Sequence, residues 1–389
     1  MPSGMSASPS PLLPIPNDTA SSSYLAELVP ELPYVASQFG LVLTTALEYR
    51  ENPESVCFKQ PGGTSIVGGE QHFRANPIPS GEASLTEIDV TISDSRTTFY
   101  ARCEPALMRA AASEGVDTWD STQDNTEAIA NGATADNFSK ALEKKPVDPV
   151  VHGHYQNVLS VISSVLEHRS AERSRLGKEN SPDGFYCVND IWINPLTSIA
   201  GGGLRIWNRA VKFVITEEQL LAEEPMIRAR CEELEKDGFV LGPMEESDIK
   251  LMLESNKVYY PEDYGKHIIK RSVCFRKDGK MVAWAGTHSD FSIAALHVLP
   301  EHRKAGLGRL VLNHLSLMHV RLAREILTTL GGKENTDIPA SKLVAHADCL
   351  DDNHPTIRFM ERCGWHRVGF YLWLELTYKG NKEATSKDA

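Results

Sequence analysis

The segment Arg303–Gly308 reads Arg-Lys-Ala-Gly-Leu-Gly and has the composition of a turn that binds phosphate groups. The apolar run Ile293–Val298 predicts a strand before this turn, and an apolar stripe in 308–327 predicts a long amphipathic helix after it. A turn at the start of a helix presents unpaired N–H groups, and the helix dipole adds partial positive charge there. The segment therefore predicts a site for an anionic group such as a pyrophosphate.

Side chains in and beside the turn agree with this chemistry. Its two glycines let a pyrophosphate approach the backbone. Arg303, Lys304 and Arg309 bring positive charge to a chain whose formal net charge is -12. Two other phosphate-binding patterns are excluded. The P-loop needs G-x-x-x-x-G-K-[ST], which is absent, and the dinucleotide-binding fingerprint needs a third glycine at the position of Val311.

The elements that must position the turn follow one another in a simple order after residue 238. We expect a strand, two helices, three strands, the long helix, a strand, a helix and a final strand. Within the three-strand run, the Asp278-Gly279 pair predicts the turn of a hairpin. Before it, residues 217–236 predict a helix that leads into this region, and residues 185–188, 191–193 and 211–215 predict strands. The order indicates a mixed sheet in an α/β fold.

The turn resembles motif A of the GNAT superfamily of N-acetyltransferases, [Arg/Gln]-x-x-Gly-x-[Gly/Ala], which binds the pyrophosphate of acetyl-CoA. The run from Asn353 to Gly364-Trp365 is similar to the later Asn…Gly-[Phe/Trp] segment of that superfamily, where the Asn meets the CoA arm. Within the superfamily, residues 271–284 look most like the glycine N-acyltransferase branch. In that branch a degenerate acyltransferase-like half precedes the catalytic half.

The resemblance implies a domain organisation. It predicts the mixed-sheet acyl-CoA N-acyltransferase fold for residues 238–378. An α+β domain with polar insertions precedes it at 24–237, and a degenerate half of the same fold is one interpretation of that domain. Residues 1–23, rich in Ser and Pro, and residues 379–389 are expected to be disordered tails.

The resemblance also implies a co-substrate, acetyl-CoA or another acyl-CoA. In this superfamily the amine attacks the thioester directly. The strand before the turn should line the pantetheine, with backbone N–H groups near His297 and Val298 polarising the thioester oxygen. The residues expected to bind the cofactor are Leu296, His297, Val298, Arg303, Lys304, Ala305, Gly306, Leu307, Gly308, Arg309 and Asn353.

The usual acid–base side chains cannot be carried over from the superfamily. Ser292 stands where some branches, the glycine N-acyltransferases included, have a glutamate base, and Met360 stands where a tyrosine often acts as acid. Asp290 and His288 lie just before the strand, and our hypothesis is that one of them acts as base through water. A structural role for either is the alternative. We expect no metal site, because the histidines of 152–154 lack a third ligand at a suitable spacing.

Composition and charge narrow the class of partner. The acidic balance, with a pI near 5.6, argues against nucleic acid and anionic membranes, and no apolar run approaches the length of a membrane span. Seven scattered cysteines without a C-x-x-C pair indicate a reducing, cytoplasmic or nucleocytoplasmic setting.

The expected reaction is transfer of an acyl group, most simply acetyl, to the primary amine of a small molecule. One alternative is a module that binds acyl-CoA with weakened catalysis, and another is a peptide or protein N-acetyltransferase. The sequence leaves the acceptor, the acyl length and the oligomeric state open.

Overall fold

A computed structural model describes residues 204–330 and 338–376 continuously, together with residues 183–193. The other described stretches are 13–14, 28–29, 32–33, 36–51, 71–75, 88–92, 97–101, 104, 162–163, 166–167, 170 and 196. Predictions that fall elsewhere lie outside the described residues, among them residues 152–154, the tail at 379–389 and most of the tail at 1–23. Within that N-terminal tail, Leu13 and Pro14 form a short strand that pairs with Arg74 and Phe73.

The described residues contain twelve strands in one sheet. Their bounds are β1 Leu13–Pro14, β2 Gln71–Ala75, β3 Ile88–Ile92, β4 Thr97–Ala101, β5 Asp183–Asn189, β6 Leu204–Thr216, β7 Phe239–Gly242, β8 Val273–Lys277, β9 Lys280–Thr287, β10 Ile293–Val298, β11 Val344–Leu350 and β12 His366–Leu376. The sheet order is β1-β2-β3-β4-β5-β12-β6-β11-β10-β9-β8-β7.

The α-helices of the described residues lie against this sheet. Their bounds are α1 Ala36–Glu51, α2 Glu217–Lys236, α3 Ile249–Ser255, α4 Glu262–Ile269, α5 Leu307–Leu330 and α6 His354–Arg362. Thr216 and Gln219 form a capping box that starts α2, and Gly238, with φ of 83°, lets the chain leave it. The predicted helix over 217–236 is therefore confirmed.

The last six strands have the predicted mixed-sheet fold. Strands β7 to β10 are antiparallel neighbours, and the Asp278-Gly279 turn joins β8 to β9 with both residues at positive φ. After α5 the chain returns in β11, which runs parallel to β10. The side chains of Leu310, Val311 and Leu315 on α5 are buried in the main core.

The first six strands repeat this arrangement. Strands β2, β3 and β4 are antiparallel neighbours, and β5 runs parallel to β4 as β11 does to β10. The two sets then exchange their last strands: β6 pairs with β11, and β12 lies between β5 and β6. The interpretation of the N-terminal part as a second half of the same fold is therefore confirmed, and the exchange joins both halves in one sheet.

Two local predictions need correction. Residues 191–193 do not form a strand, because Asp190–Trp192 is a turn of 3-10 helix that the side chain of Asn189 caps by accepting from the N–H of Ile191. The first of the two helices expected after residue 238, which apolar spacing would extend over 244–256, is instead a 3-10 turn at Glu246–Asp248 followed by α3. In both places a short polar side chain competes for backbone N–H groups, which a count of apolar residues does not register.

Candidate functional site

The predicted phosphate-binding turn connects β10 to α5. A 3-10 turn at Pro300–His302 comes first, Arg303 to Gly306 are exposed, and Leu307 begins the helix with its side chain buried. Gly306 has φ of 82°, and a Cβ at this position would meet no atom within 4 Å. The glycine therefore serves the backbone conformation and leaves open space over the first N–H groups of α5.

Gly308 has a different role. A Cβ at this position would lie 3.3 Å from the side chain of Val298 on β10 and 3.4 Å from the ring of Phe359 on α6. The missing side chain thus allows the start of α5 to approach both the strand and α6. Asn353, which the resemblance predicts to contact the CoA arm, is the N-cap of α6, and its side chain makes no capping hydrogen bond.

The three basic residues beside the turn are not equivalent. Nε of Arg303 donates to the carbonyl of Val298 at 3.1 Å, so this side chain bends back over the strand end. Lys304 is exposed, with φ of 67°. Arg309 donates instead to Glu223 on α2 at 2.7 Å, so its charge is paired within the fold. Of the three, Arg303 and Lys304 are the ones presented at the turn.

Strand β10 separates from its parallel neighbour along most of its length. Over these two fully described strands, the pairing consists of Ile293 with Ala347. A bulge follows, with Ala295 at φ of 51° and a register shift against β9 between Ala294 and His297. The parallel strands therefore open into a cleft toward the turn.

The antiparallel ladder with β9 fixes which N–H groups face this cleft. Leu299 donates its N–H to the carbonyl of Val282 on β9. Since alternate residues of such a ladder point to opposite sides, the N–H of Val298 points toward the cleft and that of His297 toward β9. The His297 ring stacks on Trp284 at 4.8 Å, and burial, followed by the charge of Arg303, lowers its pKa.

A cavity of about 670 Å³ lies between the two halves, beside the start of β10. Its lining includes Ser37 of α1, Tyr186 of β5 and Trp207 of β6 from the first half. Asp348 of β11 and the loop 288–292 line it from the second half. Both predicted catalytic residues, His288 and Asp290, therefore line one cavity of the size of a small-molecule site.

His288 is held by two tyrosines on that wall. Its Nδ1 lies 3.0 Å from the hydroxyl of Tyr264, and its Nε2 lies 3.3 Å from the hydroxyl of Tyr260. The ring also stacks on Tyr264 at a centroid distance of 5.8 Å. An imidazole held in this way is connected to two hydroxyl groups through which a proton can pass.

Asp290 is bound more tightly. Its Oδ1 accepts hydrogen bonds from the hydroxyl of Ser292 at 2.6 Å and from the N–H of Ser292 at 3.2 Å. Its main-chain carbonyl lies 2.9 Å from Nε2 of His346. Burial opposes ionisation of the carboxyl, yet interactions with His346, Lys212 and His288 hold its pKa below the usual value. A carboxylate this acidic is a weak proton acceptor, so of the two candidates His288 has the better chemistry for a base.

Behind Asp290 lies a buried cluster that the sequence did not single out. Lys212 is fully buried, and its ammonium donates to Ser37 at 2.8 Å and to Asp348 at 2.9 Å. The thiol of Cys187 lies 3.6 Å from Asp290 and 3.9 Å from Asp348, and burial together with these carboxylates raises its pKa well above the usual value.

The cluster offers three atoms that a metal ion could use. The ligand atoms of Cys187, Asp290 and Asp348 lie within 4.8 Å of one another. The Lys212 ammonium already supplies positive charge at this point. Cys187 also has φ of 54°, a conformation that is uncommon outside glycine.

Comparison with known proteins gives the fold a counterpart. No family model matches the sequence, and no curated protein matches it. An X-ray structure of a Drosophila protein, a structural genomics target, is similar over 94% of this chain and 98% of its own, with 12% identity and a TM-score of 0.50. The fold of both halves together therefore occurs in a solved structure.

Two further structures have lower TM-scores. A tandem GNAT protein from the clavulanic acid biosynthesis pathway, solved without acetyl-CoA, has a TM-score of 0.37 at 10% identity and covers 94% of this chain and 97% of its own. A GCN5-related N-acetyltransferase from Kribbella flavida has a TM-score of 0.35 at 13% identity and covers 74% of this chain and 86% of its own.

The structure thus brings one set of predicted residues together and separates another. His288 and Asp290 share the cavity, whereas Arg303 to Gly308 lie at the far end of β10. Residue spacing in the sequence could not reveal the buried cluster of Cys187, Lys212 and Asp348. These residues lie on β5, β6 and β11, which come together only through the exchange of strands. Among the helices of the described residues, none is long and apolar enough to cross a membrane.

Proposed function

We propose that the protein is a GNAT-type N-acyltransferase that transfers an acyl group, most simply acetyl, from acyl-CoA to a primary amine. One observation carries the proposal. The cleft between β10 and β11 is bordered at one end by the exposed turn and helix start at Gly306–Leu307. At its other end it adjoins the cavity that contains His288 and Asp290.

The residues at the turn fit the diphosphate of CoA. The first N–H groups of α5, the open side of Gly306 and the exposed charges of Arg303 and Lys304 would hold it. The N–H of Val298 points into the cleft, where it would donate to the thioester oxygen. Acyl-CoA would supply the acyl group in activated form, as a thioester.

The cavity residues would handle the amine. His288 takes a proton from the ammonium and leaves a lone pair on nitrogen, which attacks the thioester carbon as the carbon–sulfur bond breaks. The departing thiolate takes a second proton from that nitrogen, so the products are a neutral amide and the thiol of CoA. Tyr260 and Tyr264 hold the ring of His288 and connect it to the cavity space. Asp290 remains ionised and stabilises the imidazolium that forms.

A paired measurement tests the proposal. Calorimetric titration with acetyl-CoA measures binding at the turn, and release of CoA thiol in the presence of a panel of primary amines measures transfer. The proposal expects micromolar-range binding and thiol release that depends on an amine. Absence of amine-dependent thiol release would contradict it.

A second candidate function is an acyl-CoA-binding module with weakened catalysis. Ser292 and Met360 replace the carboxylate and tyrosine of the resemblance, and the Met360 side chain is buried in the core, where it cannot contact a substrate. Tight acetyl-CoA binding without thiol release for any amine would favour the module.

A further inference from the structure

The cavity between the halves has more acidic than basic character. Asp290 and Asp348 line it, Asp263 lies at its solvent-exposed edge in an ion pair with Lys266 at 3.5 Å, and none of its described lining residues is lysine or arginine. Lys212 lies behind the wall, where Ser37 and Asp348 bind its ammonium. The buried cluster therefore contains the carboxyl groups of Asp290 and Asp348 and one ammonium. Lys212 offsets the charge of Asp348, whose pKa burial raises, and the ionised carboxylate of Asp290 leaves negative charge facing the cavity.

Aromatic side chains form much of the remaining wall. They are Tyr186, Trp207, Tyr259, Tyr260, Tyr264 and Trp373. Tyr186 and Trp207 meet edge to face at 6.1 Å, and the indole N–H of Trp207 donates to Glu375, which fixes the ring. Such walls bury the apolar body of a ligand and attract a cation over their faces.

The two features together select a chemical class of acceptor. A free amino acid brings a carboxylate into the cavity, where it would lie near Asp290 and Asp348 without a described cation to receive it. An amine that lacks this carboxylate brings an ammonium toward the same oxygens and an apolar body toward the rings. Contact between the ligand carboxylate and these aspartates is costly when the groups are partly desolvated, because the charges have the same sign.

We propose that the acceptor is a primary amine without a carboxylate group and with an aryl or alkyl body, bound in this cavity with its ammonium toward Asp290 and Asp348. This inference rests on the proposed function for its meaning, since it names the acceptor of that reaction. It departs from the glycine N-acyltransferase branch, because glycine carries the carboxylate that this cavity disfavours.

The test uses pairs of ligands that differ by the carboxylate alone. Calorimetric titration of the full chain compares 2-phenylethylamine with phenylalanine, and tryptamine with tryptophan, in the absence of acetyl-CoA. We expect each amine to bind at least about tenfold more tightly than its amino acid, because the carboxylate meets like charge. Equal binding, tighter binding of the amino acid, or binding of neither would overturn the inference.

Variants test the assignment to this cavity. Asp348→Asn should reduce the preference for the amine several-fold, while Asp278→Asn, at an exposed hairpin turn that tolerates Asn, should leave it unchanged. If Asp348→Asn does not fold, the comparison of ligand pairs on the unaltered chain still decides.

Failure of the two proposals can be told apart. Because binding is measured without acetyl-CoA, absence of thiol release would contradict the proposed function and leave the amine preference standing. Thiol release with amino acids but not with their amines would contradict the acceptor class alone.

Discussion

The hydroxyl of Ser292 donates a 2.6 Å hydrogen bond to the carboxylate of Asp290. The resemblance to the glycine N-acyltransferase branch implies a glutamate at the position of Ser292, and in this chain a carboxylate is instead supplied by Asp290, two places earlier. The pKa of the Asp290 carboxyl is held low, because interactions with His346, Lys212 and His288 outweigh the effect of burial. Under the proposed function, Asp290 supplies negative charge at this point and His288, which lines the same cavity, is the residue that accepts the proton.

Replacing His288 should therefore affect the chemical step. We expect His288→Gln to lower kcat by roughly 10²- to 10⁴-fold, the usual contribution of a general base, with little change in the Kd for acetyl-CoA. His366→Gln is the matched control, since His366 is exposed and bonds Gln219 on α2. Unchanged turnover in His288→Gln would remove this histidine from the mechanism.

Alanine variants at two glycines with similar backbone conformation can distinguish an effect on binding from an effect on stability. Gly306 and Gly279 both have positive φ, of 82° and 74°, and both have open space where a Cβ would be. Alanine at either position should cost about 1 kcal/mol of stability, because L-residues disfavour this conformation. We expect Gly306→Ala, but not Gly279→Ala, to weaken acetyl-CoA binding, because only the backbone of Gly306 would contact the diphosphate. Calorimetry and urea unfolding on both variants provide the comparison, and equal affinities would place the diphosphate elsewhere.

Local patterns in the sequence predicted the second half of the fold well. The bounds of α2 and β10 agree with prediction, and the Asp278-Gly279 hairpin is confirmed, because caps, turn glycines and apolar periodicity act over a few residues. The position of the turn Arg303–Gly308 between β10 and α5 also agrees with prediction, because its glycines and its basic residues are contiguous; its binding of a diphosphate stays a proposal.

The cavity that is proposed to bind the acceptor could not be predicted in this way. Lys212 reads as one polar residue within an apolar strand, and nothing nearby in sequence reveals that Asp348 neutralises it across the sheet. Cys187 and Asp290 are likewise 103 positions apart. Only the pairing of β6 with β11 and of β12 with β5 brings these residues together, and strand pairing over such separations leaves little trace in one sequence.

Strand exchange makes a prediction about fragments. Strand β6 pairs with all seven residues of β11, from Val344 to Leu350, and places the side chain of Phe213 in the core. A fragment of residues 238–389 lacks this strand and should aggregate or remain unfolded, because it exposes the edge of β11. A fragment of residues 204–389 retains β6 and should be more soluble and more ordered. Circular dichroism and size-exclusion chromatography compare them. A well-folded 238–389 fragment would support the predicted boundary at residue 238 as that of an independent domain.

The buried ion pair of Lys212 and Asp348 should be strongly coupled. Lys212→Met removes the only described partner cation at 2.9 Å and leaves a carboxylate with a side-chain exposure of 6% uncompensated. We expect a loss of about 3–5 kcal/mol in the free energy of unfolding. The double variant Lys212→Met/Asp348→Leu should recover much of this loss, because neither charge remains. Urea unfolding of the two single variants and the double variant measures the coupling, and additive effects would contradict it.

His346 should make stability depend on pH in a defined window. Burial, then the charge of Lys212, lowers its pKa from 6.5 to about 4. Between about pH 4 and pH 6.5, the unfolded chain therefore binds a proton at this histidine that the folded chain does not. The stability contributed by His346 is therefore complete above pH 6.5 and is lost as the pH falls toward about 4, by an amount on the order of 3 kcal/mol.

His346→Gln tests this window, because its amide can still donate to the carbonyl of Asp290 and does not titrate. Urea unfolding between pH 7.5 and 4.5 should show a smaller loss of stability for the variant than for the unaltered chain. Burial raises the pKa of Glu104 to about 8, so the contribution of Glu104 to stability falls as the pH rises. This contribution is the same in the variant and in the unaltered chain, and it cancels when the two are compared. An identical decline in both proteins would mean that His346 is protonated in the folded state, and its 2.9 Å contact with Asp290 would then be that of a buried cation.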